Sequence, residues 1–497
     1  MTTQAAPTRP QLLAESEEFL RRDFIGHVIN GKTVESAGGA TFDVVDPSTG
    51  AVVTRAAAGD QRDVDSAVAA ARAAFDDGRW RNLPPLERER RMRRMAALLE
   101  EHIEALGELD SVDAGVLLKW SSFTAEFAVN AWYYYAGWPT KLQGSIPPVG
   151  VDMAVYDHRK PVGVAALIMP WNGPTAVWAG VAAALAAGCT VVLKPAEQTP
   201  VTATLVGELC LEAGIPEGVI NVLHGDGAVG AALVAHPGVD AISFTGSAET
   251  GRRIAESAAR TLKTIGLELG GKSPFIIFAD ADLEAASAGA MSSVWGNSGQ
   301  VCTAGTRTLV QRSIYDDFVA AVVRDSQSLH VGSAFDETSD LGPLISREQW
   351  SKVQRYVEIG VDQGANLVLG GRTPQAGGFF QEPTVFADVR NDMTIAQEEI
   401  FGPVMSVIPF DTEEEAYTIA NDTQYGLAAG VWTDDLSRAH RAADALRAGT
   451  VWVNTYQAVN PAVSYGGWKQ SGYGRALGEA CLLDFTHHKS VWMGISS

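Results

Sequence analysis

From residue 162 onward, short apolar runs rich in β-branched residues alternate with longer Ala-rich stretches at intervals of roughly 20 to 30 residues. The runs VGVAALI (from 162), TVVLK (190), VINVL (219), AISF (241), TIGLE (264) and PFIIF (274) read as strands, and 176–187, 200–213, 228–235 and 248–260 read as helices between them. Such a βαβ series predicts a parallel sheet whose strand carboxyl ends gather ligands. A second alternating region, about 300–455, has helical patterns at Ser313–Ser328, Ser346–Gln363 and Glu413–Asn421, with strands at VMSVIPF, GVWT and VWVN. It predicts a second α/β domain. Residues 61–135 are nearly all helical in pattern, and QGSIPPVG at 143–150 marks a break before the sheet begins. There are no internal repeats and no low-complexity tract.

Composition narrows the class. The chain has 497 residues, 46% of them apolar, so it is long enough for two to four domains with an ample core. Lys and Arg total 38 against 59 Asp and Glu, a net charge of -21, which disfavours nucleic acid and anionic lipid as partners. The one basic cluster, Arg88 to Arg94, is interleaved with Glu87 and Glu89 and reads as a solvated helix face. Cys189, Cys210, Cys302 and Cys481 are scattered singly, which fits a reducing compartment and neither a disulfide framework nor a zinc cluster. The first 24 residues lack a basic stretch followed by an apolar one, and a cytoplasmic address is the expectation. Residues 176–193 are almost uncharged, but their Ala and Gly content and Gly188 predict a buried helix turning into a strand, not a membrane span.

Several segments carry candidate chemistry. Gly225-Asp-Gly227-Ala-Val-Gly230 is a lone G-x-G-x-x-G between a strand and a helix, with no clearly placed ribose acid after it, so close helix–strand packing near a nucleotide is a better reading than a phosphate loop. Thr245-Gly246-Ser247-Ala-Glu-Thr250-Gly251 follows a strand and opens a helix, where free amides suit a diphosphate, or where Ser247 is simply an N-cap. Cys302 sits among small residues in Gly299-Gln-Val-Cys-Thr-Ala-Gly305; alone it would read as inert core. Glu268 ends a predicted strand just before Gly270 and Gly271, and Asn172 follows another in MPWNGP. A surface acid and a turn residue are the plainer readings of these two. Thiol, carboxylate and amide together describe covalent acyl chemistry that needs no histidine.

With the motifs MPWNGP (169), VLKPAEQTP (192), FTGSAETG (244), LELGGKSP (267), GQVCTAG (299), EEIFGPV (398) and YGGWKQSGYGR (465), the chain resembles the NAD(P)-dependent aldehyde dehydrogenase superfamily from near residue 25 to its end. The resemblance implies a Rossmann-like NAD-binding domain over 1–139 and 158–269 and a second α/β catalytic domain over 270–472. It also implies a small β oligomerisation element from 140–157 and 473–497, building a dimer or tetramer. It implies that Cys302 attacks the aldehyde, that Asn172 and the Cys302 amide hold the oxyanion, that hydride passes to the nicotinamide, and that Glu268 activates the hydrolytic water. Carried over for the cofactor are Ile168, Met169, Trp171, Lys194 and Glu197 with Gly227 and Gly230, then Gly246, Ser247, Thr250 and Leu269, and for the nicotinamide half Gln349, Lys352, Glu399 and Phe401. NAD is favoured over NADP because Glu197 would repel a 2′-phosphate.

Two positions depart from the family pattern. The helix after MPWNGP reads Val177-Trp178-Ala179-Gly180 where many relatives have a Lys, and Ala476 stands where many have a Glu. No second ionisable group for proton exchange is evident, so hydrolysis is expected to rest on Glu268 and ordered water alone. A CoA-acylating semialdehyde dehydrogenase is the alternative within enzymes, disfavoured by the presence of Glu268; a silent binding member is disfavoured by the intact trio. The expected channel residues are Phe127, Trp178, Trp295, Val301, Thr303, Tyr456 and Tyr465. None is charged, which favours an apolar or aromatic aldehyde.

Overall fold

The computed structural model describes residues 10–374 and 377–495. The first nine residues of the 1–139 unit and of the predicted leaderless start, and the last two of the C-terminal segment, lie outside the described residues. Strands Val164–Ile168 and Thr190–Lys194 are buried along their whole length, as parallel strands covered on both faces must be. The helix Trp178–Ala187 between them is buried almost all round; its small side chains let it lie close against the sheet. Helices and strands fall within a residue or two of the periodic pattern, for example Val201–Glu212, Gly227–Ala235, Ala248–Ala259, Arg347–Asp362 and Glu413–Asn421.

The first sheet has eight strands in the order 472–473, 264–268, 241–245, 164–168, 190–194, 220–222, 27–29, 32–34. The chain leaves Val164–Ile168 toward one edge through 190–194 and 220–222, then returns to build the other side with 241–245 and 264–268. That reversal makes a switch point, and the crevice beyond the carboxyl ends of 164–168 and 241–245 is where an open parallel sheet offers space to a ligand. Both edges are closed by antiparallel strands, so no parallel edge is left bare. The second sheet orders its seven strands 366–369, 384–387, 404–410, 307–311, 274–277, 428–432, 450–453.

A two-stranded ribbon pairs Met153–Pro161 with Thr486–Gly494 over nine residue pairs. Both expected limits of the oligomerisation element fall inside strands: 157/158 within Met153–Pro161, and 472/473 within Gly472–Tyr473, which belongs to the first sheet. The antiparallel pairs 27–29 with 32–34 and 41–45 with 52–57 were not legible, being short and, at 32–34 and 41–45, with only one buried residue between them. The basic cluster behaves as a solvated face: Arg91 and Arg93 pair with Glu87 and Glu89, while Arg88 turns inward to the Ala186 carbonyl. Among the described residues no helix is long and apolar enough to cross a membrane, and no group of three or more ligating side chains could hold a metal.

Helix Ile103–Ala114 carries two fully buried acids that tie the first sheet's loops together. Asp110 accepts from the hydroxyls of Thr175 (3.0 Å) and Thr202 (2.9 Å), and Asp113 from the Val201 amide (2.9 Å). Thr175 closes the loop that presents Asn172, so Asp110 anchors that loop from behind. Burial pushes the Asp110 carboxyl up to about 6 against the pull of its hydroxyl donors. Asp110→Ala is expected to orphan these donors at about 1–3 kcal/mol each, lowering the denaturation midpoint and kcat together. Asp110→Asn, which keeps an acceptor oxygen, should lose less of both; equal stability of the three proteins in a denaturant titration would refute the anchor.

Candidate active site

The two sheets meet end to end. Thr264–Glu268 finishes at the carboxyl edge of the first sheet, and Pro274 begins the second sheet at its amino edge only a few residues later. Cys302 comes from the amino side of the second sheet, in the loop between helix Leu283–Trp295 and strand Arg307–Gln311. The site therefore lies where one sheet's carboxyl edge faces the other's amino edge.

The Cys302 loop is held in a high-energy backbone. Asn297, Ser298 and Gly299 have φ of 47°, 53° and 75° in succession, a left-handed run that L side chains disfavour. It is stabilised by side chains: Gln300 donates to the Asn297 carbonyl and accepts from the Ile345 amide (2.9 Å), and Ser298 donates to Gly342 (2.8 Å). Asn172 joins this network, its amide donating to the Gln300 carbonyl (2.9 Å) while Asn297 donates to the Asn172 carbonyl (3.2 Å). The expected oxyanion donor is thus already fixed against the loop bearing the thiol.

A cavity of about 1200 Å³ is lined by Asn172, Glu268, Cys302, Phe127, Trp295 and Tyr465, along with Val301, Thr303, Met169 and Leu269. It brings the three expected catalytic residues and five of the seven channel candidates together. The other two are corrected. Trp178 is fully buried in the core beneath the first sheet and does not face the channel. Tyr456 stands behind the loop, its hydroxyl donating to the Thr303 carbonyl (2.7 Å) and its ring packed on Phe275 and Trp452. Both are large aromatics near the motif in sequence, and only packing decides which way such side chains turn.

Electrostatics at the site follow from dehydration. Burial pushes the Cys302 thiol up to about 11, opposed by a hydrogen bond with the Tyr465 hydroxyl (3.3 Å) and reinforced by the Glu399 and Glu268 charges. Glu268 is raised to about 8, mainly by burial, with the Arg475 charge and the Ala476 amide pulling it down. Its Oε1 accepts from the Ala476 amide (3.2 Å), while Oε2 is buried without a partner. A surface acid is therefore excluded as the reading of Glu268.

The cofactor candidates divide between two places. Ile168 and Lys194 are register partners at the carboxyl ends of adjacent strands, with Glu197 3.8 Å from the Lys194 ammonium. Gly227 and Gly230 open the next helix, but Asp226 already caps its first turn by accepting from Ala228 and Val229, which argues against a phosphate there. Ser247 caps helix Ala248–Ala259, accepting from the Thr250 amide (3.2 Å), beside Gly246 at the switch point. Further along the crevice, Gln349 donates to the Ile400 and Phe401 carbonyls, Trp171 meets the Phe401 ring edge-on (5.2 Å), and Glu399 accepts from the Gly271 amide. Burial lowers the Lys352 ammonium and raises the Glu399 carboxyl.

Sequence reasoning missed the loop braces Asn297 and Gln300, and Trp120 and Phe123 at the cavity mouth. The last two had a signal: with Phe127 they fall at i, i+3 and i+7 on helix Leu118–Ala136, one face of which opens on the cavity.

The fold and its cavity define an α/β oxidoreductase. The chain belongs to the aldehyde dehydrogenase family, whose pattern matches residues 33–491, and its reaction is the oxidation of aldehydes. It is 44% identical over 477 residues to the phenylacetaldehyde dehydrogenase of Pseudomonas fluorescens, covering 93% of this chain and 95% of that one. It is likewise 44% identical over 472 residues to human (Homo sapiens) retinal dehydrogenase 2, covering 94% and 91%. The NAD+ complex structure of an aldehyde dehydrogenase from Bacillus cereus superposes with a TM-score of 0.97 at 43% identity, over 98% of this chain and all of that one.

The Tyr465 contact gives a direct test of the thiol's environment. Tyr465→Phe removes the hydrogen bond that favours the thiolate, so iodoacetamide alkylation of Cys302 at fixed pH is expected to slow by about threefold or more. In both proteins the rate should still be climbing at pH 9. An unchanged rate, or a plateau near pH 7, would contradict this assignment.

Proposed function

We propose that the chain oxidises an apolar or aromatic aldehyde to the free acid with NAD, through a thioester on Cys302 that water hydrolyses. The observation that carries this reading is a half-buried thiol and a dehydrated carboxylate, with one oxygen unpartnered, facing the same cavity. The Cys302 thiol gives its proton to water as the sulfur adds to the aldehyde carbon, and the oxygen's new negative charge is taken by the Asn172 amide and the Cys302 backbone N–H. NAD, when bound, supplies the acceptor for the two electrons that leave with the aldehyde hydrogen. Glu268 then takes a proton from water as its oxygen attacks the acyl carbon, the C–S bond breaks, and the acid leaves with the sulfur regenerated.

The crevice fits the cofactor. Gly227 faces open space where a side chain would intrude, and the Lys194–Glu197 pair offers a donor and an acceptor matched to ribose hydroxyls. Ile168, Met169, Trp171, Gly230, Gly246, Ser247, Thr250 and Leu269 would complete that half, and Gln349, Lys352, Glu399 and Phe401 the nicotinamide half. Hydrolysis is preferred over transfer to CoA because Glu268 is present and desolvated. For the substrate, Trp120, Phe123 and Phe127 line the mouth, and Lys119 at the rim is engaged with Asp340, leaving it a poor partner for a substrate carboxylate.

The remaining readings are of the same kind. The division into 1–139 with 158–269, 270–472, and 140–157 with 473–497 is supported by the separation of the two sheets and the ribbon, with the ribbon itself confined to Met153–Pro161 and Thr486–Gly494. Exposed Met153, Tyr156, Trp492 and Met493 on the ribbon would be covered in a dimer of dimers. Cys189, Cys210 and Cys481 are buried and unpaired, in keeping with a reducing, cytoplasmic setting.

Cys302→Ala is expected to abolish NADH formation while calorimetry still shows NAD binding. Glu268→Gln should give a burst of about one NADH per site and then a steady rate lower by about 100-fold or more; steady turnover within threefold of wild type would remove Glu268 as the hydrolytic base. Because Glu268 must be ionised and sits near 8, wild-type kcat limited by hydrolysis should rise with pH through about 8. Cofactor choice is checked separately: kcat/KM for NAD should exceed that for NADP by about tenfold, about 1.4 kcal/mol, and Glu197→Ser should narrow the gap. A wild-type ratio near one would count against the ribose role of Glu197.

A further inference from the structure

The cavity does not stop at Glu268. It continues past the carboxylate along one face of the first sheet, between strands Ala241–Thr245 and Thr264–Glu268 and the helix Gly478–Asp484. Ile242 borders the cavity, but the other strand residues that line it, Ala241, Ser243 and Thr245 with Thr264, Gly266 and Glu268, alternate at i, i+2 and i+4 and are register partners across the two strands. They therefore share one face of the sheet. From the other side come Leu477, Cys481, Asp484 and Phe485, spaced as one face of a helix. A Cβ built on Gly266 meets nothing within 4 Å, so the middle of this passage is open.

The two ends of the passage are carboxylates held by adjacent amides of one turn. The Ala476 amide donates to Glu268 Oε1 (3.2 Å), and the Arg475 amide donates to Asp484 Oδ2 (3.0 Å). Glu268 has its second oxygen buried and unpartnered at the inner end; Asp484 is exposed to solvent at the outer end. With Ala at 476, no carboxylate side chain fills the turn between them.

We propose that Asp484 is the outward proton acceptor for Glu268, through water in the passage between helix Gly478–Asp484 and the first sheet. This rests on the hydrolytic role of Glu268 and replaces the expectation that no second ionisable group serves it. After hydrolysis Glu268 carries the proton taken from the attacking water. That proton passes along hydrogen-bonded water to the Asp484 carboxylate and then to solvent, returning Glu268 to its ionised form without any bond to carbon changing. Arg475 stands beside both acids and keeps the route from accumulating negative charge; the Cys302 and Cys481 thiols and the Tyr465 hydroxyl are the other titratable groups facing Glu268. The Asp484 charge itself opposes ionisation of Glu268.

The test separates proton exit from acylation. Rapid mixing of Asp484→Asn with NAD and a good aldehyde should give NADH at the wild-type initial rate up to about one per site, followed by a steady rate lower by about tenfold. Its kcat limb should move to lower pH, since a charge that raised Glu268 is gone. Asp484→Glu should recover most of the steady rate, and Gly266→Val, which plugs the passage without touching either acid, should slow the steady phase as Asp484→Asn does. Steady rates of Asp484→Asn and Gly266→Val both within twofold of wild type would overturn the proposal, and so would a loss of the initial NADH phase in equal proportion. Absence of NADH from the wild-type protein would instead overturn the activity on which the passage depends.

Discussion

The centre of this protein depends on the short crossing Leu269–Ser273, which carries the chain from the carboxyl edge of one sheet to the amino edge of the next with almost no room for side chains. A Cβ on Gly270 would collide with the Glu399 carboxylate, and one on Gly271 would come to 2.5 Å from the Cys302 carbonyl. Because the backbone can pass so close, an acid ending the first sheet, a thiol preceding a strand of the second and an acid from the far side of the catalytic half share one small volume. Ser471 locks the crossing from outside, donating to the Gly270 carbonyl (2.7 Å) and accepting from the Gly426 amide (3.0 Å).

That closeness sets the electrostatics. Glu268, Glu399 and Cys302 are dehydrated together, and the two carboxylate charges raise the cost of ionising the thiol further, so the resting site favours neutral forms. Such an arrangement suits a two-stage reaction, in which the sulfur must first lose a proton and the acid must later take one. It also makes removal of protons a problem of its own, since a carboxyl raised to about 8 does not discharge readily without an acceptor. A water passage with a second carboxylate at its mouth meets that need using backbone amides, where a side chain at 476 would otherwise stand.

Much of this was legible from residue pattern alone. The parallel strands of the first sheet announced themselves because strands covered on both faces must be apolar throughout, and the helices because their periodicity is long enough to count. Gly270 and Gly271 after a strand-end acid were a local sign of close backbone approach. The ribbon Met153–Pro161 with Thr486–Gly494 was less legible: exposed on much of its surface, it has no reason to alternate cleanly, and its partners lie more than 300 residues apart. Trp178 and Tyr456 were misplaced for a related reason. An aromatic near a motif can turn toward the cavity or into the core, and the choice belongs to whatever packs behind it.

By itself the sequence determined the fold class, the placement of the main parallel strands along the chain, the thiol, acid and amide fit for acyl chemistry, and the two departures at 177–180 and 476, because each is a property of local composition and spacing. Only the tertiary structure decided that the thiol approaches from the amino edge of the second sheet, that Gln300 and Asn297 brace Asn172, that Tyr465 bonds the sulfur, and that Asp484 shares a passage with Glu268. Each of these joins residues from separate elements, whose distances are set by how two sheets and a helix pack and by no spacing along the chain.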